Sequence, residues 1–256
     1  MIVDFHVHPF RTEAYSLCMY PGRFPANPDE MKRQLQQAGI GHICGSVLSR
    51  GFTLDGFESI RRLNREALAL QELLGDFYTP GFHIHPAYVR ESIEEIEEMH
   101  RRGLRLMGEL VPYMHGWTDF AEKDLFAILE AADECGMVCS FHTPFDYDYR
   151  RMAARFPRMR FVAAHPGDPA RALEHVAIMR EYPNLYLDIS GTGLHRFGLL
   201  RALVGSVGAE RVVFGTDYPI CNPRMYVQAV VGEELPEQDR ELILHGNAER
   251  LLGITP

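Results

Sequence analysis

Histidines and acidic residues stand near the ends of short apolar runs in this sequence, where such side chains can bind a metal ion. The first run carries His6 and His8, separated by one residue. Because side chains alternate across a β-strand, we predict that Asp4, His6 and His8 share one face, so that two imidazoles reach one cation. On its own, such a pair is more often two hydrogen-bonded core histidines. The later apolar runs must therefore show whether this pair belongs to a metal site.

Three later runs end in the same kinds of side chain. His142 ends the run from residue 137, His165 ends the run from residue 161, and Asp217 ends the run from residue 212. In a barrel of parallel strands, the carboxyl ends of the strands form the mouth where active sites lie. Imidazole together with carboxylate suits Zn²⁺, and Mn²⁺, Fe²⁺ or Co²⁺ are alternatives. The sequence therefore predicts a divalent metal site at this mouth.

Eight apolar runs, separated by helical segments, must position these side chains. They span residues 2–8, 42–49, 77–85, 104–110, 137–142, 161–165, 185–190 and 212–217. Apolar strands that alternate with helices are typical of parallel strands joined by crossover helices. Eight such units predict a single α/β domain over residues 1–256, a (β/α)₈ TIM barrel. An open doubly wound sheet is the alternative, but no Gly-x-Gly-x-x-Gly follows a strand.

Helix boundaries follow from periodicity and from glycines. We predict one helix that Asp119 caps and Gly136 ends, and another over residues 91–102 that Gly103 ends. Residues 242–252 are predicted to form the last helix, which folds back over the barrel.

Composition limits the classes of function. The chain has 26 basic and 35 acidic residues, a net charge of −9, which disfavours a nucleic-acid partner. The sequence contains no apolar run of about 18 residues, so we expect no membrane span. The five cysteines are odd in number and form no Cys-x-x-Cys pair, and the N-terminus has no signal-peptide pattern. We therefore expect a cytoplasmic protein with a small-molecule substrate, and a homodimer is the assembly that we consider.

The set of His6, His8, His142, His165 and Asp217 resembles the amidohydrolase superfamily. The resemblance is closest to its amidohydrolase-2 branch, which includes metal-dependent hydrolases and enzymes similar to aminocarboxymuconate-semialdehyde decarboxylase. The segments 81–86, 215–219 and 246–253 also match that branch. The resemblance implies a metal ion with four ligands: His6, His8, His142 and Asp217.

The resemblance also implies catalytic roles. Asp217 would act as the general base that removes a proton from a water molecule activated by the metal. This agrees with metal chemistry, because a catalytic metal lowers the pKa of its water from about 16 to about 7. His165 would either bind a second metal ion or polarise the reacting oxygen.

Glu109 departs from the amidohydrolase-2 pattern, since many of those sequences carry a lysine near this position that is not a metal ligand. A glutamate at this strand end resembles the TatD-like two-metal branch, where it bridges ions about 3.5–4 Å apart. The alternative is an acidic residue at the rim of the site. Glu109 is therefore a candidate metal ligand, and the number of ions, one or two, stays open.

Three further residues are candidates for substrate contacts: Arg50, His85 and Tyr113. Arg50 follows the second run and could bind a substrate carboxylate through two hydrogen bonds. The alternative for Arg50 is a solvated loop charge. The long segment 10–28 after the first run is predicted to act as a lid.

Four functions fit these features. The first is a metal-dependent hydrolase of a small molecule, such as a carboxylated lactone, ester or amide, and the second is a decarboxylase of the same branch. The third is a TatD-like nuclease, suggested by Glu109 but disfavoured by the charge of −9. The fourth is a non-catalytic barrel with a structural metal. A structural metal site is usually closed by four ligands, so a larger set at an open mouth favours catalysis.

Overall fold

The computed structural model describes residues 1–18, 25, 27–117, 120 and 123–254. The predicted helix cap at Asp119 and part of the predicted lid over residues 10–28 lie outside the described residues. None of the described helices is long and apolar enough to cross a membrane.

Eight parallel strands run in sequence order around one sheet. They are β1 (Ile2–Asp4), β2 (Ile40–Ser46), β3 (Tyr78–Phe82), β4 (Leu106–Leu110), β5 (Val138–Phe141), β6 (Arg160–Ala163), β7 (Leu185–Asp188) and β8 (Val212–Val213). Hydrogen bonds from Phe5 N to Phe214 O, at 2.9 Å, and from His8 N to Tyr218 O, at 2.7 Å, join the first strand to the last. The predicted (β/α)₈ barrel is confirmed.

Helices connect consecutive strands and surround the sheet. They are α1 (Pro28–Gln37), α2 (Glu58–Leu74), α3 (Val89–Arg101), α4 (Pro112–His115), α5 (Lys123–Glu134), α6 (Asp146–Arg155), α7 (Pro169–Glu181), α8 (Leu199–Val207), α9 (Pro223–Val231), α10 (Glu237–Glu241) and α11 (Asn247–Leu252). A short π-helical segment, Leu242–Gly246, joins α10 to α11. The helices predicted to end near Gly103 and Gly136 are observed, and both glycines have the left-handed φ that often ends a helix.

The strands are shorter than the predicted apolar runs. His6 and His8 lie beyond the end of β1, and Asp217 lies beyond the end of β8. The Asp4 carboxylate accepts hydrogen bonds from the Thr216 hydroxyl at 2.6 Å and the Thr216 amide at 3.0 Å. Asp4 therefore ties the first strand to the last, and the two histidines beyond it are left to form the site.

Apolar side chains account for the stability of this arrangement. Buried residues such as Ile43, Phe82 and Phe161 belong to the large cluster between the strands and the helices. Burial of each such side chain contributes about 1.5–3 kcal/mol. A second cluster joins residues near the amino ends of the strands to Leu251 and Leu252 of α11. Polar side chains are consequently left to gather at the carboxyl ends.

Candidate active site

Four potential metal ligands face one another at the carboxyl end of the barrel. The Nε2 atoms of His6 and His8 lie 3.2 Å apart. Glu109 Oε2 lies 3.4 Å from the first of these nitrogens and 3.3 Å from the second. Asp217 Oδ1 lies 3.4 Å from His8 Nε2. The segment after β1, the strand β4 and the loop after β8 thus supply their polar atoms to one point.

The other ring nitrogens of the two histidines determine what faces this point. His6 Nδ1 donates to Asp188 Oδ2 at 2.9 Å, and His8 Nδ1 donates to the Ser46 carbonyl at 3.1 Å. With Nδ1 carrying the proton, a neutral imidazole presents an unprotonated Nε2. Two nitrogen lone pairs and a carboxylate oxygen therefore meet in a space where each of them needs a cation or a proton as partner. This donor set fits a divalent metal ion.

A second set of potential ligands shares Glu109 with the first. Glu109 Oε1 lies 3.5 Å from His142 Nδ1 and 3.7 Å from His165 Nε2. This oxygen is buried and has no hydrogen-bond partner among the described residues. The ligand atoms of His6, His8 and Glu109 lie within 4.8 Å of one another, as do those of Glu109, His142 and His165. The two carboxylate oxygens of Glu109 thus face two different pairs of histidines, which is the arrangement of a bridging ligand.

Charge as well as geometry distinguishes these groups. Burial alone lowers the pKa of His6, but the negative charges of Glu109 and Asp188 outweigh it and raise that pKa well above its ordinary value. Burial alone raises the pKa of Glu109, but the charge on His6, together with hydrogen bonds from His142, His6 and His8, outweighs it and holds that pKa well below its ordinary value. Glu109 is therefore an ionised carboxylate, as a metal ligand must be.

Two residues of the site have a strained backbone. His165 has a φ of 66° and Asp217 a φ of 62°, and no other non-glycine residue in the described ranges has a positive φ. This left-handed conformation is unfavourable for residues with a Cβ atom, and such strain is concentrated at functional sites. Gly191 also has a positive φ, of 59°, and a Cβ atom there would collide with the His165 ring.

Asp188 and Ser190, at the end of β7, support the site but were not among the predicted residues. Asp188 accepts from His6 through one oxygen and from the Ser190 hydroxyl through the other. Ser190 Oγ lies 2.9 Å from His165 Nδ1. Since the hydroxyl proton goes to Asp188, this oxygen accepts from His165, whose Nε2 is left unprotonated. The sequence signal for these two residues was a polar residue at the end of an apolar run. The same signal pointed to His142, His165 and Asp217.

Comparison with known proteins assigns the family. The sequence profile of the amidohydrolase family matches residues 3–254. The chain belongs to the amidohydrolase-2 family. The predicted resemblance is confirmed over nearly the whole chain. No curated protein matches the sequence.

Solved structures share this amidohydrolase fold at low sequence identity. A 5-carboxyvanillate decarboxylase from Sphingomonas paucimobilis is 16% identical with a TM-score of 0.72, and the match covers 99% of each chain. A dihydroxybenzoic acid decarboxylase from a Polaromonas species, with bound manganese, is 16% identical with a TM-score of 0.74, over 98% of this chain and 96% of that one. A putative 2-pyrone-4,6-dicarboxylic acid hydrolase from Pseudomonas putida is 20% identical with a TM-score of 0.72, over 98% of this chain and 97% of that one.

The three predicted substrate contacts of this amidohydrolase-2 chain lie in different surroundings. Tyr113 is 65% exposed, and its hydroxyl lies 3.5 Å from His142 Nδ1. His85 is buried, and its two ring nitrogens bond to the His115 carbonyl and the Ala87 amide, both at 3.1 Å. Arg50 donates to the Leu17 carbonyl at 2.6 Å, which holds the segment after β1. Among the three, Tyr113 is the one beside the cluster of potential ligands.

Proposed function

We propose that this chain is a metal-dependent hydrolase that acts on a small molecule at the carboxyl end of the barrel. The observation that carries this proposal is the convergence of the His6 and His8 Nε2 atoms on the ionised carboxylate of Glu109, where a metal ion would replace the ring protons. Bound histidines normally donate their second ring nitrogen to a carboxylate or carbonyl, as His6 and His8 do with Asp188 and Ser46. The residues behind His6 and His8 are therefore of the kind that supports the histidine ligands of metal sites.

The proposal assigns ligands to two cations. His6, His8 and Asp217 would hold one, and His142 and His165 would hold the other. Glu109 would bind both, because its two oxygens face the two sets separately. Zn²⁺ suits these ligands, and Mn²⁺, Fe²⁺ and Co²⁺ are alternatives.

The residues of the chain then divide the chemistry. A divalent cation, when bound, lowers the pKa of water and polarises a substrate oxygen. Asp217 accepts the proton of the attacking water and returns it to the leaving oxygen or nitrogen, so that the proton count balances. Ser190 and Asp188 hold His165 in one orientation. Tyr113, at the mouth, offers a hydroxyl to the substrate.

Decarboxylation is the second candidate, and the solved structures favour it. Two of the three similar structures described above are decarboxylases, one of them with bound manganese. The third is named as a hydrolase of a dicarboxylic acid. A carboxylated substrate is compatible with both candidates. The two differ in whether water enters the product.

Metal content tests the site before any substrate is known. We expect protein prepared without chelators to hold one or two divalent ions per chain by mass spectrometry. His8→Ala should lose metal, because it removes one of the facing nitrogens. His100→Ala is the matched control, since His100 is exposed on α3. Wild-type protein that binds neither Zn²⁺ nor Mn²⁺ after reconstitution would overturn the proposal.

Product analysis then separates the two reactions. Loaded enzyme is incubated in H₂¹⁸O with lactones, esters, amides and phenolic carboxylates. Incorporation of ¹⁸O into a product acid indicates hydrolysis. Release of carbon dioxide without ¹⁸O in the organic product indicates decarboxylation and would replace the first candidate by the second.

A further inference from the structure

A cavity of about 450 Å³ opens at the amino end of the barrel, where the strands begin. Its lining includes four arginines: Arg105, Arg158, Arg160 and Arg250. Arg105 precedes β4, Arg160 begins β6, and Arg250 lies on α11. His165 follows the opposite end of β6, so the cavity and the proposed metal centre lie at opposite ends of the barrel.

The cavity holds more positive charge than its own acidic residue balances. Asp133 is the acidic residue of the lining, and it pairs with Arg158 at 2.9 Å. Arg105, Arg160 and Arg250 form no ion pair with a carboxylate in the part of the chain that the structure describes.

Two of these three arginines make hydrogen bonds, and the acceptors are uncharged oxygens. Arg160 donates to the Arg158 carbonyl, and Arg250 donates to the Glu210 carbonyl at 2.6 Å. Arg105 has no hydrogen-bond partner for its guanidinium among the described residues. Elsewhere on the surface, Arg65 and Arg155 each pair with a glutamate. In a chain with a net charge of −9, no carboxylate of the described residues balances this local excess of positive charge.

The floor of the cavity is apolar and carries one hydroxyl. Val138, Leu251 and Tyr186 line it and are buried. Tyr186 is 8% exposed, and its hydroxyl forms no hydrogen bond with another described residue. An apolar wall beside charged groups strengthens their field, because field lines concentrate where the dielectric constant is low.

We propose that this arginine cavity binds a small oxyanion with two or more negative charges. A guanidinium presents its N–H groups as a planar fork that matches phosphate and carboxylate oxygens. The volume is within the range of small-molecule sites, roughly 300–1,000 Å³. Arg105, Arg160 and Arg250 supply the charge, and the Tyr186 hydroxyl supplies a further donor. The ligand belongs to the phosphate or the dicarboxylate class.

Calorimetric titration of the metal-loaded protein with sulfate, phosphate and succinate at low ionic strength tests the site. The probe that binds more tightly identifies the class of ligand. We expect Arg105→Gln and Arg160→Gln each to weaken binding about tenfold, because each removes charge-assisted hydrogen bonds. Arg201→Gln should leave binding unchanged, since Arg201 lies on α8 and pairs with Glu234. Chloride should weaken binding in the wild type by screening.

Further measurements separate this site from anion binding at the metal centre. Arg105→Gln and Arg160→Gln should keep the metal content, the thermal unfolding temperature and the turnover of the wild type. Sulfate stabilises proteins in general, so only the difference between wild type and variant counts in thermal shifts. The proposal is overturned if no probe binds by about 10 mM, or if a variant that combines Arg105→Gln with Arg160→Gln binds as tightly as the wild type.

Discussion

At the carboxyl end of the barrel, buried imidazole nitrogens and carboxylate oxygens face one another, whereas at the amino end guanidinium groups surround an open cavity. The first group consists of potential metal ligands and the second of cationic hydrogen-bond donors. His6 and Glu109 are 2% and 4% exposed, while Arg105 and Arg160 are exposed. An unpaired polar group that is buried lowers the stability of the fold, whereas an exposed one is solvated by water. We therefore expect large effects at the carboxyl end and small effects at the amino end.

The comparison also bears on how each end acquires its ligand. The carboxyl end is arranged in advance by Asp188, Ser46 and Ser190, which fix the orientation of the imidazole rings. The amino end has no comparable layer behind Arg105, whose guanidinium bonds to no described residue. A site of the first kind binds tightly and holds its geometry, while a site of the second kind binds weakly and responds to salt.

The largest effect that we predict concerns Asp217. Asp217→Asn keeps the shape of the side chain but removes the proton acceptor, so turnover should fall about 10²- to 10⁴-fold. Steady-state rates with the substrate found in the panel measure this, and Asp29→Asn, an exposed change on α1, is the control. Unchanged turnover would remove Asp217 as the base and weaken the contrast between the two ends.

A smaller effect is expected for Ser190, which contacts the proposed ligand His165 and is not itself a proposed ligand. Ser190→Ala takes away the partner of His165 Nδ1 and one donor to Asp188. Loss of such a supporting hydrogen bond typically costs 10- to 100-fold in metal affinity or activity, on the order seen for other metal sites. Competition with a chelator measures the metal dissociation constant.

Two further variants give this prediction its controls. Ser190→Thr keeps a hydroxyl and should restore most of the affinity, whereas Ser206→Ala on α8 should have no effect. Equal metal affinity in wild type and Ser190→Ala would show that His165 does not need its orientation fixed. The site would then resemble the amino end more closely than we infer.

Much of the carboxyl end could be predicted from the sequence, because its residues are local to strand ends. The order of apolar runs predicted the barrel, and the barrel brings strand ends together whatever lies between them. Asp188 was overlooked because its role depends on the ring of His6, which a distant strand supplies. The strand lengths were overestimated, since periodicity does not show where His165 and Asp217 turn into a left-handed conformation.

The amino end was not predicted at all, for a related reason. Arg105, Arg158, Arg160 and Arg250 precede strands or lie on the last helix, where an arginine looks like an ordinary surface charge. Their proximity becomes visible only when α11 is placed beneath the strands. The charge balance of the whole chain, −9, even points away from a positive cavity.

His175 extends the comparison, because burial lowers the pKa of this histidine, whereas the pKa of His6 is raised. His175 on α7 is 1% exposed, about as buried as His6, but neither of its ring nitrogens has a hydrogen-bond partner among the described residues. Burial, aided by the positive charge of Arg171, lowers the pKa of His175 to about 3. The same side chain is thus held neutral here and pushed towards its charged form at the carboxyl end.

The smallest effect that we predict follows from this difference, in the pH dependence of stability. Above pH 6.5, His175 is neutral in both the folded and the unfolded chain and contributes no pH dependence. As the pH falls below 6.5, the unfolded chain binds a proton that the folded chain refuses, so stability is lost. At pH 5.5 the loss is about 1.4 kcal/mol, a tenfold change in the unfolding constant. Urea unfolding at pH 7.5 and 5.5 should show a loss of stability that is smaller by about this amount in His175→Leu than in the wild type and in the exposed control His100→Leu. Equal losses in all three proteins would mean that His175 takes up a proton without cost, and that burial alone does not set these histidines apart.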